Sequence, residues 1–300
     1  KKKIICVVGT RPEAIKMAPI ILELKSRNDV DCKVLATAQH RQMLDQVFGV
    51  FQIKPDIDLD IMKPNQKLTK LTSRLLLNLD KVFLEQRPDI VLSQGDTTTV
   101  MTTALTCFYH RIAFGHVEAG LRTWDISNPF PEEMNRVVSG KLSEWHFAPT
   151  EGSRQNLLKE GYDDSQIFVT GNTVIDALKI AITKKLEIGE SLDKSKKLIL
   201  VTAHRRENFG SPMREICRAI LALVKKNQDI QILFPVHPNP NVQSVVYELL
   251  DGNKQIVLCK PLDYLPFVAA MQRAYFILSD SGGVQEEAPA LGKPVLVLRE

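Results

Sequence analysis

The stretch Ile4-Ile5-Cys6-Val7-Val8-Gly9-Thr10-Arg11-Pro12-Glu13-Ala14-Ile15-Lys16-Met17-Ala18-Pro19-Ile20-Ile21-Leu22-Glu23-Leu24-Lys25 carries the plan of the whole chain. Ile4–Val8 is a short, unbroken apolar run, the pattern of a strand buried on both faces of a parallel sheet. Ala14–Lys25 changes to an amphipathic helical pattern. Between them, Thr10 and Glu13 have the spacing of a capping box, and Pro12 suits a first helical turn. Working outward, the same alternation repeats. Lys33–Thr37, Asp89–Leu92, Ile112–Val117, Trp145–Ala148 and Ile167–Thr170 read as strands, with helical patterns such as Leu68–Gln86 and Thr99–His110 between them. The rhythm breaks at the polar stretch Ala181–Lys197 and restarts with Leu198–Thr202, Ile230–Val236, Ile256–Leu258, Tyr275–Leu278 and Pro294–Leu298. Strands alternating with helices predict an α/β fold of two Rossmann-like, doubly wound parallel sheets. The larger first domain is placed at residues 1–171 and the second at 172–300.

Composition fits a globular chain, neither collagen-like nor disordered. The 300 residues are 44% hydrophobic and 25% charged, enough to bury a core in each of two domains. Lys1-Lys2-Lys3 runs straight into a strand, and the net charge of +4 has no basic stripe interleaved with aromatics, so nucleic acid is not an expected partner. The cysteines Cys6, Cys32, Cys107, Cys217 and Cys259 are scattered through apolar runs without metal or redox spacing, which reads as core thiols in a reducing compartment. Without an apolar run approaching 18 residues or a signal-peptide pattern, a cytoplasmic, non-membrane protein is expected. The last strand pattern reaches Glu300 with no closing helix, so the chain is expected to stop short of a natural C-terminus.

In doubly wound sheets, ligands sit outside the carboxyl ends of the strands, and the unusual residues fall there. The first strand leads into a helix start with Arg11 and Lys16 nearby, a place for an anion. After Gly9 the next glycine is Gly49, so the dinucleotide fingerprint is absent and no redox cofactor is expected. Asp96 follows a strand in Gln94-Gly95-Asp96-Thr97-Thr98-Thr99, where it either caps the next helix or serves chemistry; Thr98 stands where a phosphatase would need a second Asp. His116-Val117-Glu118 has the His-x-Glu of zinc deaminases without their Pro-Cys-x-x-Cys, so no metal is expected. Glu132 and Glu133 follow Pro131 at a helix start, where the dipole alone explains them. Asp96, Glu118 and Glu132 near the mouth of one sheet are nonetheless what paired acid and base work requires. In the second domain, His204 and His237 stand just past strand ends. Ser281-Gly282-Gly283 opens a helix whose amides can meet a phosphate, with Glu287 a turn on to hold ribose hydroxyls.

Taken in order, Gly9-Thr10-Arg11-Pro12-Glu13, Gln39-His40-Arg41-Gln42, Gly95-Asp96-Thr97-Thr98-Thr99, His116-Val117-Glu118-Ala119-Gly120-Leu121-Arg122-Thr123, Pro131-Glu132-Glu133, His204-Arg205-Arg206-Glu207-Asn208 and Asp280-Ser281-Gly282-Gly283-Val284-Gln285-Glu286-Glu287-Ala288-Pro289 resemble the motifs of the non-hydrolysing UDP-N-acetylglucosamine 2-epimerases. The resemblance covers essentially the whole chain. It implies a glycosyltransferase-B-like pair of domains facing a cleft, and an isomerase that interconverts UDP-GlcNAc and UDP-ManNAc, supplying ManNAc units for cell-surface polysaccharide. The implied route eliminates UDP across C1–C2 to a glycal and adds it back with the opposite C2 configuration. On the resemblance, Asp96, Glu118 and Glu132 match the acid/base group and His204 a catalytic or phosphate-handling histidine. Arg11, Lys16, Leu262, Phe267, Ser281, Gly282, Gly283 and Glu287 match the UDP contacts. Gln39, Gln42, Arg205 and His237 match a region where a second UDP-GlcNAc acts as an allosteric activator, and a homodimer is implied. The alternatives are a hydrolysing epimerase, an epimerase of a related UDP-acetamido sugar, a retaining glycosyltransferase, and a catalytically silent nucleotide-sugar sensor.

Overall fold

The computed structural model of the chain describes residues 1–37, 41–61 and 66–298, with side chains at all of these but 41–43. It divides into two units, Lys1–Ala177 and Leu178–Glu300. The first holds β1 (Lys2–Val8), β2 (Val30–Ala36), β3 (Ile57–Asp58), β4 (Ile90–Gln94), β5 (Ala113–Val117), β6 (Trp145–Ala148) and β7 (Ile167–Val169). Its helices are α1 (Arg11–Ser26), α2 (Arg41–Phe51), α3 (Leu68–Gln86), α4 (Thr98–His110), α5 (Glu132–Lys141) and α6 (Glu151–Lys159), and α7 (Thr173–Ile182) runs across the division. The strands form one seven-stranded sheet in the order β3-β2-β1-β4-β5-β6-β7, parallel throughout.

The second unit holds β8 (Lys197–Thr202), β9 (Ile230–Pro235), β10 (Ile256–Cys259), β11 (Ala274–Ser279) and β12 (Val295–Val297), with α8 (Ser211–Lys226), α9 (Pro240–Leu250), α10 (Tyr264–Arg273) and the short α11 (Gly282–Glu287). These strands make a five-stranded parallel sheet in the order β10-β9-β8-β11-β12. Between Ile182 and Lys197 the polar stretch forms neither helix nor strand.

The expected strands are present, with ends moved by a few residues. β3 was not anticipated: at two residues, pairing only with Leu35 and Ala36, it is too short to leave a periodic signal. Central strands bury both faces, as their continuous apolar runs require. In the first unit, Ile5, Val7, Leu35, Val91 and Phe114 pack with Leu75, Leu79 and Phe83 of α3 and Val100, Ala104 and Cys107 of α4. In the second, Ile199, Val201, Ile232 and Phe234 pack with Met213, Cys217 and Ile220 of α8 and Val242 and Val246 of α9. All five cysteines are free thiols, and Cys6, Cys107, Cys217 and Cys259 are buried among apolar groups. Among the described residues no helix is long and apolar enough to cross a membrane.

Both sheets reverse direction of winding at one place. In the first the strand order turns between β1 and β4, in the second between β8 and β11. There the connecting helices leave to opposite faces, so the loops at the strand ends part and open a crevice. Two glycines shape the first crevice. A Cβ on Gly9 would lie 2.6 Å from Thr99 Oγ1 and 2.8 Å from Thr37 Oγ1, so the loop after β1 needs glycine to pass this closely. Gly120 has φ of +89°, and a Cβ there would lie 2.3 Å from the Ser153 carbonyl oxygen. Gly120→Ala therefore combines an unfavourable backbone with a backbone clash, and should cost on the order of 3 kcal/mol. A lower urea midpoint than wild type checks this; an unchanged midpoint would mean that the turn after β5 is not constrained.

Candidate active site

The loops after β1, β4 and β5, three adjacent strands, converge on a cavity of about 210 Å³. Thr10, Glu13 and Lys16 line it from the first loop and α1, Gln94, Gly95, Asp96 and Thr97 from the second, Glu118 and Leu121 from the third, and Arg136 from α5. Thr10 caps α1, its hydroxyl accepting from the Glu13 amide at 3.4 Å. Glu13 returns the contact: its Oε2 accepts from the amides of Gly9 at 2.5 Å and Thr10 at 3.1 Å. One turn further on, the Lys16 ammonium donates to both Glu118 oxygens, at 2.9 and 2.8 Å, and the Gln94 side chain donates to the same carboxylate. Both members of that ion pair are largely buried, with side-chain exposures of 14% and 11%. Glu118 also holds a left-handed backbone, φ of 64°, a conformation that costs a non-glycine residue on the order of 1–3 kcal/mol.

Asp96 is held differently. Thr97, not Asp96, caps α4, accepting from the Val100 amide. That leaves the Asp96 carboxylate to an ion pair with Arg136. Its carbonyl accepts from Asn135 Nδ2 at 2.9 Å, and the carbonyl before it, on Gly95, accepts from His116 Nε2 at 2.6 Å. Burial pulls His116 down to about 4, so its ring is neutral and serves to fix this turn. Glu133 has more to do than favour a helix dipole. It is 2% exposed, accepts from the amides of Thr123 and Trp124, and pairs with Arg136 at 3.1 Å. A chain of charge thus runs from Glu133 through Arg136 to Asp96.

The second unit has its own cluster at the ends of β9, β8 and β11, organised by Asp280. This fully buried carboxylate accepts at Oδ2 from the amides of His204 and Arg205 and from Asn208 Nδ2, each at 2.8 Å. Its Oδ1 lies 3.3 Å from His204 Nδ1. The His204 ring stacks on His237 with centroids 5.6 Å apart. Burial lowers His204 below its usual value, against the opposing pull of Asp280. Asp280 therefore fixes the ring's position while the ring itself stays partly open, at 38% exposure. Ser281-Gly282-Gly283 follows directly, with the Ser281 amide turned back onto Ser279 Oγ at 3.0 Å. Glu287 lies buried at the end of α11, and Leu262 and Phe267 are half-buried at and beyond the end of β10.

Of the carboxylates singled out in the sequence, Asp96 and Glu118 share one cavity with Lys16. Glu132 stands half-buried as the first residue of α5 and is not among the lining residues. Arg11 is half-buried at the first position of α1. His204, Ser281, Gly282, Gly283 and Glu287 gather at the β8/β11 end of the second sheet, where Arg205 and His237 are exposed. Gln39 and the side chain of Gln42 lie outside the described residues, as does Glu300. Among the described residues, no group of three or more His, Cys, Asp or Glu could hold a metal ion. The sequence left Gln94, Asn135, Arg136, Asp280 and Asn208 without a role, and gave Glu13 only that of a cap. The one available signal was spacing: Arg136 follows Glu133 by three residues on a helix, within reach of an ion pair.

Comparison with known proteins places the chain in a family. Residues 22–300 match the family described as UDP-N-acetylglucosamine 2-epimerase. The UDP-N-acetylglucosamine 2-epimerase of Yersinia pestis is 53% identical over 308 residues, which cover 99% of this chain and 82% of that protein. The crystal structure of UDP-GlcNAc 2-epimerase from Neisseria meningitidis bound to UDP-GlcNAc is 49% identical and superposes with a TM-score of 0.90, over 99% of this chain and 83% of that one. The glycotransferase of kitacinnamycin, at 12% identity and a TM-score of 0.63 over 98% of this chain and 80% of its own, shares the fold, in keeping with the expected glycosyltransferase-B-like class. With residues 22–300 matching the family model and 99% of the chain matched at 53% identity, the chain belongs to the UDP-N-acetylglucosamine 2-epimerase family.

Proposed function

We propose that this protein epimerises UDP-GlcNAc and UDP-ManNAc at C2 without hydrolysis, by eliminating UDP to a glycal and adding it back, and so supplies ManNAc units for cell-surface polysaccharide. The observation that carries this is the cavity at the β1/β4 switch point, where Asp96 and Glu118 are each paired with a cation, Arg136 and Lys16. Inverting a carbon that bears a hydrogen requires one group to take the proton and another to return it on the opposite face. In the forward direction a base takes the C2 proton. The C–H electrons form the C1–C2 double bond as the C1–O bond to UDP breaks. In the return direction C2 receives a proton on its other face while the UDP oxygen re-forms its bond to C1. Nothing is oxidised or reduced overall, which fits a loop after β1 without a dinucleotide fingerprint.

Asp96 and Glu118 are assigned to the proton transfers, with Glu132 and His204 completing the acid/base set. The UDP half is assigned to Ser281, Gly282, Gly283, Glu287, Leu262, Phe267 and His204, with Arg11 and Lys16 adding positive charge. Lys16 has a second task, because the same ammonium that would meet a phosphate orients Glu118. A second UDP-GlcNAc beside Gln39, Gln42, Arg205 and His237 as activator, and assembly as a homodimer in the cytoplasm, belong to the same proposal.

Proton NMR of UDP-GlcNAc incubated with the protein should show the UDP-ManNAc epimer accumulating to a constant ratio. Free ManNAc with stoichiometric UDP would instead identify a hydrolysing enzyme, and unchanged substrate would identify a binding protein. Asp96→Asn and Glu118→Gln should each lower kcat by roughly 10²–10⁴-fold, the usual worth of a general acid or base. Near-normal rates in either variant would reduce that residue to a loop anchor.

A further inference from the structure

Glu13 is the one carboxyl lining the cavity whose environment is not that of an ion pair. It is 2% exposed, its Oε2 is taken up by the Gly9 and Thr10 amides, and its Oε1 is buried without a hydrogen-bond partner. A capping box needs only the Oε2 contacts. The second oxygen is sealed from solvent in a residue that lines the cavity. The charged groups around the same cavity are Lys16 on its own helix, Asp96 after β4, Glu118 after β5 and Arg136 from α5. Asp96 pairs with Arg136, which also pairs with the buried Glu133 behind the cavity, and Glu118 pairs with Lys16. Every cation lining the cavity is thus already engaged by a carboxylate, and an ionised Glu13 adds a negative charge that no lining cation is left to offset.

We infer that Glu13 is a positioning residue that sets the charge of the cavity: it holds the loop after β1 through its Oε2 and, as the neutral acid, adds no further negative charge beside Asp96 and Glu118 where an anionic diphosphate substrate is to bind. This rests on the reading that the cavity serves a UDP-sugar. Burial supports it, raising Glu13 from 4.5 to about 7 against the Thr97 hydroxyl and the Gly9 and Thr10 amides, which favour the ionised form; the charge of Asp96 pushes upward more weakly. Loss of the proton would add an uncompensated negative charge to the cavity proposed to receive an anionic UDP-sugar, enough at the effective dielectric of such a site to weaken binding by about 10-fold.

The test compares wild type with Glu13→Gln and Thr10→Ala. Gln keeps an acceptor for both amides but stays neutral; Thr10→Ala weakens the helix cap and leaves Glu13 ionisable. Because the folded state raises Glu13, its contribution to stability is complete below about 4.5 and is lost as pH rises through about 7. The thermal midpoint of wild type relative to Glu13→Gln should therefore fall between pH 5 and pH 8. Over the same range the Kd for UDP-GlcNAc, measured by calorimetry, should rise by about 10-fold more in wild type and in Thr10→Ala than in Glu13→Gln. Parallel midpoints would show that Glu13 does not titrate there, and equal pH dependence of Kd in all three proteins would show that the substrate does not sense it. Either result overturns the inference. If both shifts appear but wild type makes no epimer, the charge-setting role stands and the proposed reaction fails.

Discussion

The contact between Lys16 and Glu118 is the constraint on which the rest of the site depends. It joins a helix near the start of the chain to the end of a strand a hundred residues later, and it does so where both charges are largely out of water. Burying such a pair costs several kcal/mol of hydration for each ion, which the attraction between them only partly offsets. Glu118 adds a left-handed backbone to that cost. A fold selected for stability alone has cheaper ways to fill this space. The pair makes sense if Glu118 must present a carboxylate in one orientation and Lys16 must keep a positive charge at the same spot.

The topology explains how residues so distant in sequence meet. β1, β4 and β5 are neighbours in the sheet, and the switch between β1 and β4 opens the crevice into which all three loops point. Each loop is then fixed by groups outside the proposed reacting set. Glu13 holds the first and His116 holds Gly95 in the second, while Glu133 holds Thr123, Trp124 and Arg136, and through Arg136 it steadies Asp96. The second sheet repeats the device with different chemistry. There a single buried carboxylate, Asp280, gathers the amides after β8 and sets His204 beside the Ser281-Gly282-Gly283 turn. Side chains that must hold geometry to a fraction of an ångström need such supports, because exposed side chains on loops do not keep one position.

Most of the fold was legible because strand and helix periods differ. Leu68–Gln86 was placed to the residue, since nineteen residues of amphipathic pattern admit one interpretation. β3 was invisible because two residues have no period. The candidate site was legible where an unusual residue stands just past a strand, as Asp96, Glu118 and His204 do after β4, β5 and β8. It was illegible where the partner lies far away in sequence. Nothing near Glu118 announces Lys16 as its counter-ion, and nothing near Arg136 announces Asp96. Glu13 was hidden by its own capping box, a sufficient local explanation that gave no reason to ask whether the carboxyl was buried. Asp280 stands inside a motif that gives it no role of its own, because it acts by accepting from backbone amides, which sequence does not display.

The central claim is that this cavity moves a proton at C2 of a UDP-linked sugar. The most direct measurement is turnover of UDP-GlcNAc in heavy water, with the product analysed by NMR. The account predicts deuterium at C2 of the UDP-ManNAc formed, because the proton returned to that carbon comes from a group in exchange with solvent. Product formed at full rate with hydrogen retained at C2 would contradict it.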